Sequence, residues 1–265
     1  MSFISQGEKK ISEEFLLNGF VIKKSCNIDS LDKIRNEIIK ISSEENLVER
    51  EEISNYLNSV HNKVSIDKIN NFRLNIFNNL NDKTWLRESY FNSANDYLND
   101  LVGNELCMQR RISLSIQLPN DKSSLLALHS DVWSGDSPYE VVLWIPLVDC
   151  YEAKSMYILP PEYSKIFYKE FPKYNEMSTD EIFEAVKHNL LWIDIKYGEI
   201  LIFDQSLPHG NIVNDTNETR WSMNCRFKSV FSPYGDKKLG EFFDPISLKA
   251  ATKMGMKYES PKIKF

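Results

Sequence analysis

The chain has 265 residues and a formal net charge of −6 at pH 7, and its 42% hydrophobic and 26% charged residues are ordinary for a globular protein. An acidic chain lacks the basic surface on which general binding to nucleic acid or to anionic membranes depends. At about 100–200 residues per domain, the length allows one large domain or two small ones, and we expect one.

No segment approaches the roughly 20 apolar residues of a membrane-spanning helix, and the first ten residues lack the basic and then apolar layout of a secretory signal. The four cysteines form no CxxC pair, which argues against a zinc knuckle or a thioredoxin-like motif. We therefore expect a cytoplasmic protein with reduced thiols, either a monomer or a homo-oligomer, that binds neither nucleic acid nor membrane.

The first 103 residues have a mainly helical pattern. Asn18-Gly19 is a typical helix stop, and Asp29 or Ser30 is a candidate N-cap for the helix that follows. Apolar residues recur at helical spacing after that cap. The predicted elements here are helices over 11–17, 31–41, 65–80 and 84–102 and a short strand over 20–22.

After Gly103 the pattern changes to that of β-strands. Residues 111–118 alternate strictly between polar and apolar, as a half-buried strand does. Residues 161–189 are predicted to be a helical insert, because Ser178 and Glu181 form a capping box before an apolar run. The predicted strands lie over 111–118, 125–128, 141–148, 156–159, 190–195, 199–203 and 220–231.

Three residues have the types and spacing of a metal site. His129 and Asp131 form an H-x-D at the end of the predicted strand 125–128, and alternate residues of an extended chain point to one side. His209 follows the predicted strand 199–203. Two histidines and one carboxylate cover one face of an octahedral ion and leave positions open, as in non-haem Fe(II) oxygenases. An H-x-D alone is weak evidence, because isolated histidines are more often structural residues than metal ligands.

An arginine follows His209 by eleven residues. Arg220 opens a predicted strand in which Ser222, Asn224 and Arg226 share its face. If that face points inward, its two guanidinium groups require anions, and arginine binds a carboxylate through two parallel hydrogen bonds. The alternative is an outward face with solvated arginines.

The sequence His129-x-Asp131, then His209, then Arg220 resembles the Fe(II)- and 2-oxoglutarate-dependent dioxygenases, in the phytanoyl-CoA dioxygenase-like branch. The resemblance covers about residues 11–231. Where that family usually has a Pro-Gly-Ser-His turn, this chain has PPEYS at 160–164. Similar segments are NGFVI at 18–22, LWIPL at 143–147 and SMYILP at 155–160.

The resemblance implies that His129, Asp131 and His209 bind Fe(II) and that Arg220 holds the distal carboxylate of 2-oxoglutarate. With O2 as the second co-substrate, it implies hydroxylation and release of succinate and CO2. Asp131 stands where related halogenases have a small residue and bind halide, so hydroxylation is favoured over chlorination, while desaturation and ring closure stay open.

Four further residues are candidate neighbours of the co-substrate by position, each with a structural alternative. Trp144 is equally a core residue, and the polar three are equally hydrogen-bonded residues of the strands. They are Gln117, Trp144, Asn211 and Ser222.

The expected fold is mainly β with a helical buttress, as a double-stranded β-helix (jelly-roll, cupin-like) core. We expect a single domain over 1–265, in which the helices of 1–103 support the larger sheet. The core then occupies 104–231 with the insert 161–189, and 232–265 is a C-terminal tail.

The substrate is the least determined property. Trp133, Asp136 and Tyr139 are predicted at the mouth of the site, and the tyrosines and lysines of the insert 161–189 predict a polar, aromatic lid. Such a lining favours a small polar substrate, a sugar or nucleotide-linked sugar, and the chain is similar to oxygenases of bacterial surface-carbohydrate gene clusters. Two alternatives stay open: a cupin-type metal enzyme that does not use 2-oxoglutarate, and a catalytically silent carbohydrate-binding barrel.

Overall fold

A computed structural model describes residues 3–43, 47 and 49–261. Its helices and strands alternate with short 3-10 turns. The helices are α1 (Gln6–Asn18), α2 (Ile28–Ser42), α3 (Arg50–Asn58), α4 (Ile69–Asn81), α5 (Leu86–Asn92), α6 (Asn95–Val102), α7 (Pro161–Lys169), α8 (Thr179–Val186) and α9 (Ala250–Gly255). The strands are β1 (Phe20–Lys24), β2 (Leu106–Gln109), β3 (Ser113–Gln117), β4 (Glu140–Pro146), β5 (Tyr157–Ile158), β6 (Leu191–Trp192), β7 (Glu199–Asp204), β8 (His209–Gly210), β9 (Arg220–Ser229) and β10 (Phe243–Pro245).

The strands form two antiparallel sheets. The larger sheet has the order β1-β7-β4-β9-β2-β10, with β3 also paired to β9, and the smaller has the order β6-β5-β8. Strand β9 organises the larger sheet, because its first half pairs with β3, its second half pairs with β2, and β4 runs along its other edge. Alternate residues of β9 therefore face the same side of the sheet over its whole length.

The N-terminal helices pack on the larger sheet through one hydrophobic cluster. The buried phenol of Tyr90 donates to the carbonyl of Leu143 at 2.8 Å, which ties α5 to β4. Likewise, the indole of Trp221 on β9 donates to the carbonyl of Leu57 on α3 at 2.8 Å. The larger sheet thus has a rigid helical support, whereas the proposed division into 1–103, 104–231 and 232–265 within a single domain stays a prediction.

The helices differ from the prediction at three places. Asn27, rather than Asp29 or Ser30, caps α2, because its side chain accepts from the amide of Ser30 at 3.0 Å. Helix α3 escaped prediction because its capping box begins with a glutamate, Glu49, and not with Ser or Thr. The predicted helix 84–102 is two helices, α5 and α6.

The predicted strand 125–128 is wrong. Those residues form an irregular segment, and only the next residue, His129, makes a β-bridge. A short apolar run does not by itself distinguish a strand from a buried loop. The capping box of Ser178 and Glu181 at the start of α8 is confirmed.

The C-terminal segment returns to the larger sheet, because β10 pairs with β2 and buries Phe243 against Phe242 and Tyr234. Among the described residues, no helix is both long and apolar enough to cross a membrane.

Candidate metal centre

Two histidines distant in sequence are held side by side by their own backbones. The amide of His129 donates to the carbonyl of His209 at 3.0 Å, and the reverse hydrogen bond measures 2.8 Å. This antiparallel bridge sets the two imidazole centroids 4.4 Å apart. The irregular segment before His129 and the end of the smaller sheet at β8 therefore meet at a single point.

Both imidazoles are oriented in the same way. Nδ1 of His129 lies 2.8 Å from the carbonyl of Ala127, and Nδ1 of His209 lies 2.8 Å from the carbonyl of Leu207. A carbonyl only accepts, so each Nδ1 carries the proton and each Nε2 presents a lone pair. Fixing the tautomer in this way is how proteins prepare a metal-binding histidine.

Asp131 completes the cluster. Ser130 is extended, with φ −123° and ψ 137°, which puts the side chains of 129 and 131 on one side. Asp131 Oδ1 lies 3.6 Å from His129 Nε2, and one candidate ligand atom from each of the three residues lies within 4.8 Å of the others. We call His129, Asp131 and His209 the metal triad, and its donors fit an octahedral cation with open positions.

Burial and charge favour the ligating protonation state of His209 and Asp131, whereas for His129 the contact with Asp131 outweighs burial and raises the pKa. Burial, together with the neighbouring His129, lowers the pKa of His209 to about 4. Burial disfavours the ionised form of Asp131, but the adjacent imidazole of His129 and the charge of Arg226 hold its pKa well below its usual range. His209 is thus neutral and Asp131 anionic at pH 7, as a divalent cation requires.

A cavity of about 650 Å³ opens onto the metal triad. Arg220 lies in its wall and is 3% exposed. Its Nη1 donates to the carbonyl of Ser155 at 3.0 Å and its Nη2 to Ser115 Oγ at 2.8 Å, while its buried Nε has no hydrogen-bond partner within the described chain. Burial lowers the pKa of Arg220 to about 10, so it stays cationic at pH 7.

The two arginines of β9 have different surroundings. Arg226 pairs with Asp131 at 2.8 Å and with Asp136 at 3.4 Å, so carboxylates of this chain neutralise it. Arg220 has no carboxylate partner in the described part of the chain. The prediction that both inward-facing arginines require an external anion is therefore wrong for Arg226. It applies only to Arg220.

No family model matches the chain. The streptomycin biosynthesis protein StrG of Streptomyces griseus is 37% identical over 78 residues, which are 23% of this chain and 39% of StrG. The chain thus spans about two fifths of the length of this curated relative.

Solved structures match over nearly the whole chain. A nickel complex of the non-haem monooxygenase ThoJ has a TM-score of 0.58 at 15% identity, covering 91% of this chain and 85% of ThoJ. The non-haem, 2-oxoglutarate-dependent epimerase SnoN from nogalamycin biosynthesis has a TM-score of 0.53 at 12% identity, covering 86% and 85%. The chain has the fold of the non-haem iron and 2-oxoglutarate-dependent enzymes. The predicted jelly-roll class is confirmed, and the phytanoyl-CoA dioxygenase-like branch stays a prediction.

The four predicted co-substrate neighbours have different positions in this fold. Trp144 on β4 and Ser222 on β9 line the cavity and are nearly fully buried. Gln117 is buried at the end of β3 outside the cavity wall, and its amide donates to the carbonyl of Ile212 at 2.8 Å. Asn211 lines the cavity but accepts from the amide of Leu126 at 2.6 Å. Asn211 thereby anchors the irregular segment before His129.

The close approach of β8 to the segment before His129 requires a glycine at position 210. A Cβ there would lie 2.6 Å from Tyr157 Oη and 2.7 Å from the carbonyl oxygen of Leu126. We expect Gly210→Ala to lower the free energy of unfolding by about 1–3 kcal/mol, the usual cost of overpacking, as measured by denaturant titration. Gly255→Ala is the control, because a Cβ at that position would point into open space among the described residues. Equal stability of both variants would contradict the close approach.

The insert 161–189, predicted to be a lid, does not lie over the cavity. Trp133 stacks on Phe167 of α7 with ring centroids 6.2 Å apart and also contacts Phe171 at 5.5 Å. The insert 161–189 packs its aromatic side chains on the smaller sheet, and none of its residues lines the cavity. Asp136 lines the cavity as predicted, whereas Tyr139 is exposed outside it. The insert supports the site from behind and does not cover it.

The cavity residues that sequence analysis did not identify include three from distant segments. Asn70 and Arg73 come from α4, and Lys237 comes from the C-terminal segment. Their position in the cavity wall depends on how distant segments pack against each other. No local sequence pattern predicts such packing.

Proposed function

We propose that this protein is an Fe(II)- and 2-oxoglutarate-dependent oxygenase that hydroxylates a small polar metabolite, such as a sugar or nucleotide-linked sugar, and releases succinate and CO2. One observation carries the proposal. A buried guanidinium without a carboxylate partner in the described chain, Arg220, opens on the same cavity as the metal triad. Burying such a charge is costly unless an anion joins it, and 2-oxoglutarate supplies a carboxylate there.

The residues present fit both groups. The metal triad would hold the iron, because it offers two Nε2 lone pairs and one carboxylate oxygen, and Arg220 would receive the distal carboxylate of 2-oxoglutarate. When bound, iron and 2-oxoglutarate would together activate O2, the oxidant, for attack on a C–H bond. In support, ThoJ binds nickel, and a further structure of SnoN holds Fe3+ and 2-oxoglutarate.

The protein itself supplies orientation and exclusion of water. The carbonyls of Ala127 and Leu207 fix the two imidazoles, and Phe203 packs edge-on against His209 with ring centroids 4.9 Å apart. Trp144 and Met156 form apolar parts of the cavity wall. Apolar side chains such as Phe203 keep water away from His209.

Polar side chains also line the cavity. They include those of Asn70, Ser113, Ser134 and Asn224. Its two further cations are paired, Arg73 with Asp121 and Lys237 with Asp136. A wall of hydroxyl and amide groups with neutralised charges suits the hydroxyl groups of a sugar.

Asn224 is the most central of these polar side chains, since it lies between Ser222 and Arg226 on the inner face of β9. We expect Asn224→Ala to lower kcat/KM for the best sugar by about tenfold, because a lost hydrogen bond to substrate is worth about 1–1.5 kcal/mol. Affinity for iron and 2-oxoglutarate should not change. The matched control is Asn99→Ala, on the exposed side of α6. Unchanged kcat/KM would remove Asn224 from the substrate site.

Epimerisation is a second candidate reaction, because the similar protein SnoN is an epimerase. Mass spectrometry of the product separates the two. Hydroxylation adds one oxygen atom to the substrate, whereas epimerisation leaves its mass unchanged.

The deciding experiment is an anaerobic difference spectrum of metal-free protein with Fe(II) and then 2-oxoglutarate. A weak visible charge-transfer band that requires both additions is expected. Sugars and nucleotide-linked sugars are then screened by succinate release. Iron binding without the band would instead favour a cupin-type enzyme that does not use 2-oxoglutarate, and no iron binding would favour a carbohydrate-binding barrel.

A further inference from the structure

Arg226 contacts the one carboxylate of the metal triad. Its Nη2 lies 2.8 Å from Asp131 Oδ2, the oxygen that does not face the histidines, while Oδ1 lies 3.6 Å from His129 Nε2. The two oxygens of Asp131 therefore have separate partners. A carboxylate held in this way can offer one oxygen to a cation and not two.

Each nitrogen of the Arg226 guanidinium contacts another group of the protein. Its Nε lies 3.1 Å from Gln205 Oε1 and 3.4 Å from Asp136 Oδ1, and its Nη1 lies 3.4 Å from Gln109 Oε1. All three nitrogens thus have partners in the chain. Arg226 lines the cavity but, unlike Arg220, has a partner within the described chain for each of its three nitrogens.

The partners of Arg226 are themselves fixed. Gln205 is fully buried and donates to the carbonyl of Ser137 at 2.8 Å and to Glu140 at 3.0 Å. Asp136 is also buried and pairs with Lys237. This network links Asp131 to β4 and to the C-terminal segment, so buried groups outside the metal triad set the position of the guanidinium.

We propose that Arg226 is a positioning residue that keeps Asp131 a one-oxygen ligand and so preserves a metal coordination position for the keto acid. The inference rests on the proposed function, because it assumes that the metal triad holds a metal. Without Arg226, Oδ2 is free to turn toward the ion, and two-oxygen ligation fills a position that 2-oxoglutarate needs. Partners of this kind typically change metal affinity or activity by about 10–100-fold.

The test compares Arg226→Gln and Arg226→Lys with the unmodified protein, using Co(II) as the probe. Co(II) ligand-field spectra report coordination number without 2-oxoglutarate, so this readout stands even if the proposed co-substrate is wrong. We expect Arg226→Gln to bind Co(II) but with a changed ligand-field spectrum. Arg226→Lys, which retains a donor and the charge, should partly restore it. Arg110→Gln is the control, since that half-exposed arginine pairs with Asp244 outside the cavity.

A second titration measures 2-oxoglutarate through its visible band with Fe(II). The dissociation constant of 2-oxoglutarate should rise by at least about tenfold in Arg226→Gln. Identical Co(II) spectra and equal 2-oxoglutarate affinity would overturn the proposal. So would the unfolding of both metal-free variants in circular dichroism, because Arg226 would then be required by the fold. Absence of the band in the unmodified protein would count against the proposed function, while the Co(II) comparison would still decide on Arg226.

Discussion

His209→Ala is expected to abolish specific iron binding. The substitution removes one of three ligands, so the loss should exceed the roughly 10–100-fold that follows loss of an outer-shell partner. Burial lowers the pKa of His209 to about 4, so at pH 7 it offers its lone pair without proton competition. Anaerobic isothermal titration calorimetry with Fe(II) measures the effect.

The matched control is His188→Ala, an exposed histidine in the insert, which should bind iron like the unmodified protein. Circular dichroism of both metal-free variants separates ligand loss from unfolding. Unchanged Fe(II) affinity in a folded His209→Ala protein would reject the metal triad.

Arg220→Ala is expected to weaken 2-oxoglutarate binding by at least about 100-fold while leaving the Fe(II) affinity within a few-fold. Two hydrogen bonds to a charged group are worth about 1.5–3 kcal/mol each, and every 1.4 kcal/mol is a factor of ten. Titration of the visible band at fixed Fe(II) gives the 2-oxoglutarate affinity, and calorimetry gives the iron affinity.

Arg220→Lys tests the geometry of the same contact. It retains the charge but not the planar pair of donors, so it should restore only part of the affinity. Arg110→Ala, outside the cavity, is the control for loss of an arginine. Equal losses of iron and 2-oxoglutarate in Arg220→Ala would indicate disruption of the fold around Ser155 and Ser115 rather than loss of an anion site.

Strict periodicity predicted the part of the cavity that depends on one long strand. Alternation along 220–226 places Arg220, Ser222, Asn224 and Arg226 on one face, and all four line the cavity. The spacing of 129 and 131 likewise works because Ser130 is extended. Local pattern suffices in both cases, because the backbone geometry of a strand determines the direction of each side chain.

Other features arise only from tertiary packing. The segment before His129 is apolar like a strand but is held by the side chain of Asn211, and single-sequence periodicity does not detect such an anchor. Arg73 and Lys237 reach the cavity from segments that are far apart in sequence. The aromatic composition of the insert 161–189 predicts a lid. Its position is determined instead by a small hydrophobic cluster that the insert forms with the smaller sheet.

The alternation along β9 also constrains how this protein can change. Arg220 and Arg226 are six residues apart, roughly 20 Å along a strand, and Ser222 and Asn224 line the cavity between them. Substitutions at 222 or 224 retune what fits in the cavity without moving either arginine. One inserted or deleted residue in this interval would instead turn one arginine to the opposite face of the sheet. Specificity here is therefore free to diverge by substitution, while the length of this interval is under strict constraint.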